Sequence, residues 1–450
     1  MLGPKPLKDY YSKNTVVFLY TFFLIIYSLK SNSIVIKFPL VQYFQRDIGF
    51  SESNAGSLMH VGTYLSKLFI VIGGILGDGY LGLYPTLIIG NIITIISCFL
   101  MVLVGHSKSS LMCWISFMVF SIFYGMSFPV LTTIRNSQYI GNDEERHVHQ
   151  NTFYAYYCLN ILAFLVLLFV PDAFKRFGIF APFYYYAIVL LISLILLIMF
   201  YKSFYHQPRD NDKIKSFINL LFKKIDMTEE KMKERKAILQ LITITIPLAM
   251  FQVLYRLKES CWIQAGNKMN KNFYGYQIEP QQIELINIAI VILLSPFIRT
   301  YITTYLVKKI GVLKTLIIAM FILILSYAIN TVVDIISLST QLHIAYQLPS
   351  YIIVTLAEVM FFPTLESFIY ILSPPGYKTI LQSLADIYTS IYGLIYMTAL
   401  KKISALFGKY KFIIEQTTTS AILLVIAISL LLFYKGNFNK IGKKEKKIKI

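Results

Sequence analysis

Residues 85–105 read PTLIIGNIITIISCFLMVLVG, a stretch of 21 residues without a charged side chain. A helix needs about 20 mostly apolar residues to cross the hydrocarbon core of a bilayer. Similar stretches recur along the whole chain, and together they define twelve predicted spans. These lie near 15–38, 55–77, 85–105, 110–134, 152–171, 178–201, 238–264, 283–298, 312–334, 343–372, 379–400 and 413–434. The sequence therefore predicts an all-α integral membrane protein with twelve transmembrane helices.

The composition supports this class and excludes several others. Of the 450 residues, 56% are hydrophobic and 14% are charged, whereas an average soluble domain has about 45–50% apolar and about 25% charged residues. A disordered chain, a fibrous protein and a soluble enzyme with ordinary surfaces are thereby excluded. The sequence contains no phosphate-binding loop, nucleophile elbow or zinc-binding histidine pair. We therefore expect no enzyme activity, no metal and no cofactor.

The cysteines indicate packing rather than cross-linking. All four lie inside apolar runs, and none belongs to a C-x-x-C pair. We expect Cys98, Cys113, Cys158 and Cys261 to form neither disulfides nor a metal site.

The basic residues predict the orientation in the membrane. Of the 42 Lys and Arg residues, 27 fall in connections on the side that both termini share, and 10 fall on the opposite side. Because cytoplasmic connections carry the excess of Lys and Arg, both termini are predicted to be cytoplasmic. The plasma membrane is the expected location, and a vacuolar or other internal membrane is the alternative. The net charge of +19 then points to membrane lipid, not nucleic acid, as a partner.

The longest polar connection, residues 202–237, carries 10 Lys and Arg residues and follows the sixth predicted span. A six-plus-six division around a basic cytoplasmic linker is the pattern of a two-lobed transporter with its substrate site near mid-membrane. We predict an N-terminal lobe at 15–201 and a C-terminal lobe at 238–434. A cytoplasmic N-terminus at 1–14 and a basic cytoplasmic tail at 435–450 flank them.

Charged residues inside the predicted spans are candidates for a substrate site, because ionised side chains are costly in a bilayer unless they face a cavity or a partner. Lys30 and Lys37 share one face of the first span. Arg256 and Glu259 are spaced to pair along the seventh, and Glu358 lies in a strongly apolar run. Acids and bases around one cavity suit a zwitterion. The alternative for each is a structural ion pair or a snorkelling lysine. Other charged residues in or beside spans are Lys67, Lys258, Glu366, Asp386 and Asp78.

Several stretches carry a family resemblance. The second span ends Gly73-Gly74-Ile75-Leu76-Gly77-Asp78-Gly79-Tyr80-Leu81-Gly82, and residues 346–361 read YQLPSYIIVTLAEVMF. Shorter matches fall at 373–382, between Trp262 and Asn287, and at Tyr156 with Asn160. In order along both predicted lobes, these stretches resemble the proton-coupled oligopeptide transporters, a branch of the major facilitator superfamily. That family's signature in the first stretch is G-G-x-x-A-D-x-x-L-G.

The resemblance implies a major facilitator fold and alternating-access import of di- and tripeptides driven by protons. Glu358 matches the carboxylate that holds the peptide's amino terminus, and Asn287 matches a contact to the peptide backbone. Lys30 and Lys37 occupy basic positions and are expected to meet the peptide carboxylate. The other matched positions are the cavity aromatics Trp262 and Tyr156, the proton-handling histidine His60, and the structural residues Gly73, Gly74, Asp78 and Gly82.

The first span departs from the family pattern, which carries E-x-x-E-R. The matching run is Ile26-Tyr27-Ser28-Leu29-Lys30, so both acids are missing and a lysine replaces the arginine. Lysine keeps the charge but lacks the two-pronged geometry that binds a carboxylate. Arg256 also stands where the family usually has an acid, and Phe128 where it has a lysine. We therefore hypothesise that proton coupling has moved to His60 and the Arg256–Glu259 pair, or that the protein is a facilitator.

Two further functions stay open on the sequence alone. The same fold could carry another small solute, such as nitrate, another anion or a nucleobase, and the extra bases Lys67, Arg256 and Lys258 favour an anion. A sensor that binds without transporting would explain the lost coupling motif without new coupling residues.

Overall fold

The computed structural model describes residues 43–44, 48–50, 52–137, 180–204, 228–278, 282–374 and 377–437, with single residues between 153 and 164 and at 206, 217 and 219. These residues form helices and one short antiparallel hairpin. The helices are α1 Glu52–Ile75, α2 Leu83–Ser107, α3 Ser110–Ser137, α4 Ala181–Met199, α5 Glu229–Gly266, α6 Gln282–Phe297, α7 Thr304–Ile310, α8 Val312–Ser337, α9 Leu348–Leu372, α10 Lys378–Ala405 and α11 Lys411–Asn437. The hairpin pairs β1 Asn272–Phe273 with β2 Tyr276–Gln277.

The helices confirm the predicted class. In the described part of the chain, nine helices are long and apolar enough to cross a membrane. The predicted segment 379–400 lies within α10, which is helical but is not one of the nine. The predicted segment 15–38 lies outside the described residues, and only single residues of 152–171 are described. The count of twelve spans therefore stays a prediction.

Two helices extend beyond the predicted spans. α5 begins at Glu229, inside the predicted linker, because its first turns combine good helix formers with acidic residues that favour a helix N-terminus. The predicted span 283–298 continues through a π-helical turn, Ile298–Thr303, and through α7 to Ile310. Gly311 then ends the helix with a φ of +91°. Hydropathy locates only the apolar part of a helix, so it does not predict charged turns at either end.

The same corner occurs twice in the fold. A π-helical turn, Leu76–Tyr80, leads to Gly82 with a φ of +89° and a ψ of 163°, after which α2 begins. A second π-helical turn leads through α7 to Gly311 with nearly the same angles, 91° and 163°, before α8. In each corner a threonine four residues on donates its hydroxyl hydrogen to the glycine carbonyl: Thr86 at 2.8 Å and Thr315 at 2.9 Å. The positive φ explains why both corners need glycine.

The hairpin between α5 and α6 was not predicted. Its turn holds Tyr274 and Gly275 at φ values of +48° and +88°. The Gly275 amide donates to Oδ1 of Asn272 at 2.9 Å. The sequence Asn-Phe-Tyr-Gly is a recognisable turn signal, but it lies between two predicted spans, where hydropathy reports only a polar connection.

The chain divides into two compact units, Met1–Ile242 with Ile369–Ser390, and Thr243–Phe368 with Ile391–Ile450. In the first unit, α1 and α3 approach at backbone distance. A methyl group added to Gly73 would lie 1.9 Å from the carbonyl oxygen of Met126, and one added to Gly125 would lie 1.9 Å from that of Ser66. Small residues allow this close packing of membrane helices. The predicted lobe boundaries, 15–201 and 238–434, stay predictions.

Most of α9, through Phe368, belongs to the second unit. Within the span Ile344–Leu372, 72% of the apolar window is buried in the protein, against 28% for the span Asn287–Ile310. Phe361 of α9 stacks on Phe251 of α5 with ring centroids 3.6 Å apart. Because α9 contacts protein along most of its length, most of its side chains are surrounded by protein groups.

Candidate functional site

Three polar side chains follow one face of α9. Tyr351, Thr355 and Glu358 are spaced by four and three residues, which places them one above another on a helix. Thr355 is fully buried and Glu358 is 6% exposed. The predicted ammonium-binding carboxylate thus lies inside the second unit, where the enclosed environment strengthens its interaction with a cation.

Asn287 of α6 contacts α9 at Thr355, one helical turn before Glu358. The Thr355 hydroxyl donates to Oδ1 of Asn287 at 2.8 Å and also lies 2.8 Å from the carbonyl oxygen of Tyr351. Asn287 itself is 2% exposed. The structure therefore brings two of the predicted substrate residues, Asn287 and Glu358, to neighbouring positions and links their helices through Thr355.

Lys258 of α5 is a buried cation near this face. Its side chain is fully buried, and Nζ lies 4.8 Å from the ring centroid of Tyr255 and 5.8 Å from that of Tyr351. The aromatic faces stabilise the ammonium by cation–π attraction. A snorkelling lysine, the alternative considered from sequence, would show an exposed end. The sequence alone places Lys258 on the same helix face as the predicted cavity residue Trp262, because it precedes Trp262 by one helical turn.

Trp262 is held by a network that the sequence did not predict. Its indole N–H donates to Oε1 of Gln416 at 3.2 Å, and its ring packs edge-on against Tyr351 with centroids 4.9 Å apart. Gln416 Nε2 in turn donates to Oδ2 of Asp334 at 2.5 Å, and Asn330 Nδ2 donates to Oε1 of Gln416 at 3.1 Å. These contacts join α5, α8 and α11. The network fixes the ring of Trp262, and a contact between this ring and substrate stays a prediction.

A second buried carboxylate lies beside this network. Glu415 of α11 accepts hydrogen bonds from the Cys261 thiol at 2.7 Å and from the Ser404 hydroxyl at 2.5 Å. All four cysteines of the chain are free. Cys261 therefore acts as a hydrogen-bond donor within the unit.

Signature residues at the end of α1 and in the π-helical turn after it contact α10 within the first unit. Asp78 Oδ1 accepts the hydroxyl hydrogen of Thr379 at 2.6 Å, and Oδ2 accepts the backbone N–H of Ile380 at 3.2 Å. Thr133 of α3 lies 2.9 Å from the Thr379 hydroxyl. A carboxylate beside the first turn of α10 also interacts favourably with the positive end of the helix dipole. A methyl group on Gly74 would come within 2.9 Å of the Ser383 hydroxyl, so the seam between α1 and α10 is tight.

An ion pair lies further along the same seam. Nζ of Lys67 on α1 lies 3.6 Å from Oδ1 of Asp386 on α10, within ion-pair distance. Both charges are visible in the sequence, but no local pattern pairs residues so distant along the chain.

The other predicted site residues are only partly visible. Lys30 and Lys37 lie outside the described residues, as do the side chains of His60 and Glu259. Arg256 is half-buried on α5. Tyr156 is half-buried, and its carbonyl oxygen accepts a hydrogen bond from Asn160 at 2.9 Å. Among the described residues, no group of His, Cys, Asp and Glu side chains is arranged to hold a metal.

Comparison with known proteins identifies the relatives of this chain. The family model of the POT family matches residues 213–413. The chain is similar to Protein NRT1/PTR FAMILY 8.5 of Arabidopsis thaliana, at 26% identity over 177 residues, which are 36% of this chain and 30% of that protein. It is also similar to Peptide transporter family 1 of Drosophila melanogaster, at 20% identity over 289 residues, which are 55% of this chain and 38% of that protein. These matches therefore span less than two-fifths of the length of either relative.

The fold is similar to that of solved POT family transporters over most of the chain. The POT family transporter PepTSo superimposes with a TM-score of 0.76 over 92% of this chain and 97% of that one, at 15% identity. The chain is therefore similar to the POT family in sequence over residues 213–413 and in fold over about nine-tenths of its length.

Proposed function

We propose that this protein carries short peptides across a membrane by alternating access, with protons as the coupling ion. The observation that carries the proposal is the buried Glu358 on α9, one helical turn from the Thr355–Asn287 hydrogen bond. A peptide presents one ammonium group and a run of backbone amides at fixed spacing. A buried carboxylate beside a buried amide side chain suits that combination.

Electrostatics supports binding of the peptide's amino terminus at Glu358. The attraction between two unit charges 4 Å apart is about 4 kcal/mol at an effective dielectric constant near 20, against about 1 kcal/mol in water. The peptide's carboxylate requires a cation in return. Lys30 and Lys37 are our candidates from the first span, and Lys258 adds a buried cation on α5.

We expect a peptide carrier to select weakly among peptide side chains. Apolar and aromatic walls, among them the predicted Trp262 and Tyr156, would accept side chains of many shapes by dispersion, while the charged groups bind only the parts that all peptides share. Phe251 and Tyr255 of α5 pack against Phe361 and Phe362 of α9 in the same unit. We propose that both termini are cytoplasmic and that the protein lies in the plasma membrane.

Uptake of a labelled dipeptide into proteoliposomes, with and without an inward proton gradient, tests this function. We expect accumulation above equilibrium that a protonophore abolishes. Equilibration at the same rate with or without the gradient would identify a facilitator. Competition by nitrate but not by unlabelled dipeptides would identify an anion carrier, and dipeptide binding without flux would identify a sensor.

Glu358→Gln tests the site itself. It keeps the shape of the side chain but removes the charge, so we expect the dipeptide affinity to fall by about tenfold to a hundredfold, the effect of about 1.5–3 kcal/mol. Glu366→Gln is the matched control, because Glu366 lies two turns further along α9 and is only half-buried. Near-normal affinity in Glu358→Gln would remove this residue from the site.

A further inference from the structure

The buried network around Gln416 contains two acceptor oxygens that receive no hydrogen bond from the described part of the chain. They are Oδ1 of Asp334 and Oδ1 of Asn330, both on α8. Asn330 is fully buried and Asp334 is 5% exposed. The two residues stand one helical turn apart, and Nδ2 of Asn330 lies 3.4 Å from Oδ2 of Asp334. Because buried polar atoms are nearly always hydrogen-bonded, this pair of side chains calls for a further donor.

Trp262 fixes the orientation of both amide side chains in the network. An indole N–H can only donate, so the Gln416 atom that faces it at 3.2 Å is the oxygen. The nitrogen of Gln416 then donates to Oδ2 of Asp334 at 2.5 Å. Nδ2 of Asn330 donates to the same Gln416 oxygen at 3.1 Å. Turning either amide around would therefore set two donors or two acceptors against each other, so neither amide can supply the further donor.

We propose that Asp334 is a proton-binding site, in which Oδ1 carries the proton and donates it to Oδ1 of Asn330. The step balances with a proton from water alone, because the acceptor-only carboxylate becomes a carboxylic acid with one O–H donor. Oδ2 still accepts from Gln416. The step also removes a buried negative charge, whose separation from water is costly. Asp334 lies three residues before the end of the span Val312–Ser337, about 4.5 Å from it, which gives the proton a short path from water.

The charges around Asp334 leave this proton-binding role open to it. The elements packed around the end of α8, and α8 itself, carry these titratable and charged groups: Cys261, Lys268, Tyr327, His343, Lys411 and Glu415. Lys268 attracts the ionised form of Asp334, but its side chain is exposed, so water weakens the attraction. Glu415 is a second buried carboxylate, beside Gln416 on α11. It disfavours another negative charge nearby and is the natural control for the assignment.

The proton acts on the candidate site through Trp262. When the carboxylate is ionised, the amide nitrogen of Asn330 is drawn toward it and away from the Gln416 oxygen, which also accepts from the indole. Trp262 packs edge-on against Tyr351, on the polar face of α9. Loss of the proton therefore loosens the ring beside this face, and peptide binding in turn changes the affinity for the proton. This link to the peptide rests on the proposed function, whereas the proton site does not.

Infrared difference spectroscopy in nanodiscs locates the proton without any substrate. Wild-type protein, Asp334→Asn and Glu415→Gln are compared from mildly acidic to mildly alkaline pH. We expect a carbonyl band of a protonated carboxylic acid that weakens as the pH rises, that Asp334→Asn lacks and that Glu415→Gln retains. A full band in Asp334→Asn, or loss of the band in Glu415→Gln instead, would overturn the assignment.

Thermal stability gives a second test. Asn at position 334 has the shape of the protonated acid, with an N–H donor for Asn330 and an oxygen acceptor for Gln416. The native protein binds the proton more tightly than the unfolded chain does, so the wild-type midpoint should fall as the pH rises. The midpoint of Asp334→Asn should equal that of wild type at acidic pH and exceed it at alkaline pH. A variant that fails to fold, or is less stable than wild type at alkaline pH, would show that the charge itself holds the network and would reject the proposal.

Dipeptide binding distinguishes failure of this inference from failure of the proposed function. The affinity for a labelled dipeptide is measured at both ends of the pH range in wild type and in Asp334→Asn. We expect a weaker pH dependence in the variant, because its residue 334 has no proton to gain or lose. Equal pH dependence in the two proteins would overturn the link to the peptide site. A protein that binds no dipeptide, yet loses the acid band in Asp334→Asn, would support the proton site and reject the peptide substrate.

Discussion

Replacing Asp78 by Asn tests how strongly α1 holds the start of α10. Asp78 accepts two hydrogen bonds from α10, at 2.6 Å from Thr379 and 3.2 Å from the Ile380 amide. Asn keeps the size of the side chain but offers one acceptor oxygen in place of two and carries no charge. The substitution therefore removes one bond to a charged acceptor, worth about 1.5–3 kcal/mol, and a favourable helix-dipole interaction of about 0.3–1 kcal/mol.

The combined loss of about 3 kcal/mol corresponds to about a hundredfold shift in the equilibrium for opening the seam. Hydrogen–deuterium exchange of a peptide covering residues 378–390 reports that opening directly, because its amides exchange only when the first turns of α10 separate or unwind. We expect protection of this peptide to fall by about tenfold to a hundredfold, while a peptide from α8 keeps its wild-type protection.

Thr133→Val provides the matched comparison. It removes a neutral contact to the same Thr379 hydroxyl, 2.9 Å away, which is worth about 0.5–1.5 kcal/mol. Its effect on exchange should therefore be clearly smaller than that of Asp78→Asn. Equal effects in the two variants, or unchanged protection in Asp78→Asn, would refute the idea that the buried charge of Asp78 holds the seam.

Two further perturbations test packing and the buried network. Gly73→Ala would place a methyl group 1.9 Å from the Met126 carbonyl oxygen, so we expect a sharp loss of monodisperse protein by size-exclusion chromatography; a normal yield would show that α1 and α3 can separate without cost. The chain has 2 tryptophans, so Trp114→Phe leaves Trp262 as the single fluorescent probe. Adding Gln416→Leu in that background should shift its emission to the red as the network loosens, and an unchanged spectrum would show that aromatic packing alone fixes the ring.

Much of the fold was predictable because a bilayer leaves a chain few choices. Backbone groups in hydrocarbon must be satisfied internally, so long apolar segments such as 85–105 and 312–334 form helices whatever their detailed sequence. The helix ends were less predictable. Glu229 lies in a charged run and Arg299 interrupts an apolar one, yet both are helical, because a helix continues until a residue such as Gly311 stops it.

The candidate site was also only partly predictable from the sequence. Asn287 and Glu358 were found through a family resemblance, and the structure then showed how Thr355 joins their helices. The burial of Lys258 was not predictable, because hydropathy does not reveal whether a lysine faces lipid, water or aromatic rings. The Lys67–Asp386 pair depends on a contact between residues far apart in the sequence, which no local pattern predicts.

The two corners differ at the position four residues before the positive-φ glycine. Asp78 stands there in the first corner and Val307 in the second. The Asp78 carboxylate, which binds the start of α10, therefore has no counterpart at this position of the second corner. In a protein that alternates between two states, a bond of about 3 kcal/mol made in only one of them sets a resting population ratio of about a hundred to one. If the carrier that we propose makes the Asp78 bonds in only one of its two states, the empty protein would rest mainly in that state, and this side chain would bias the side from which it first accepts substrate.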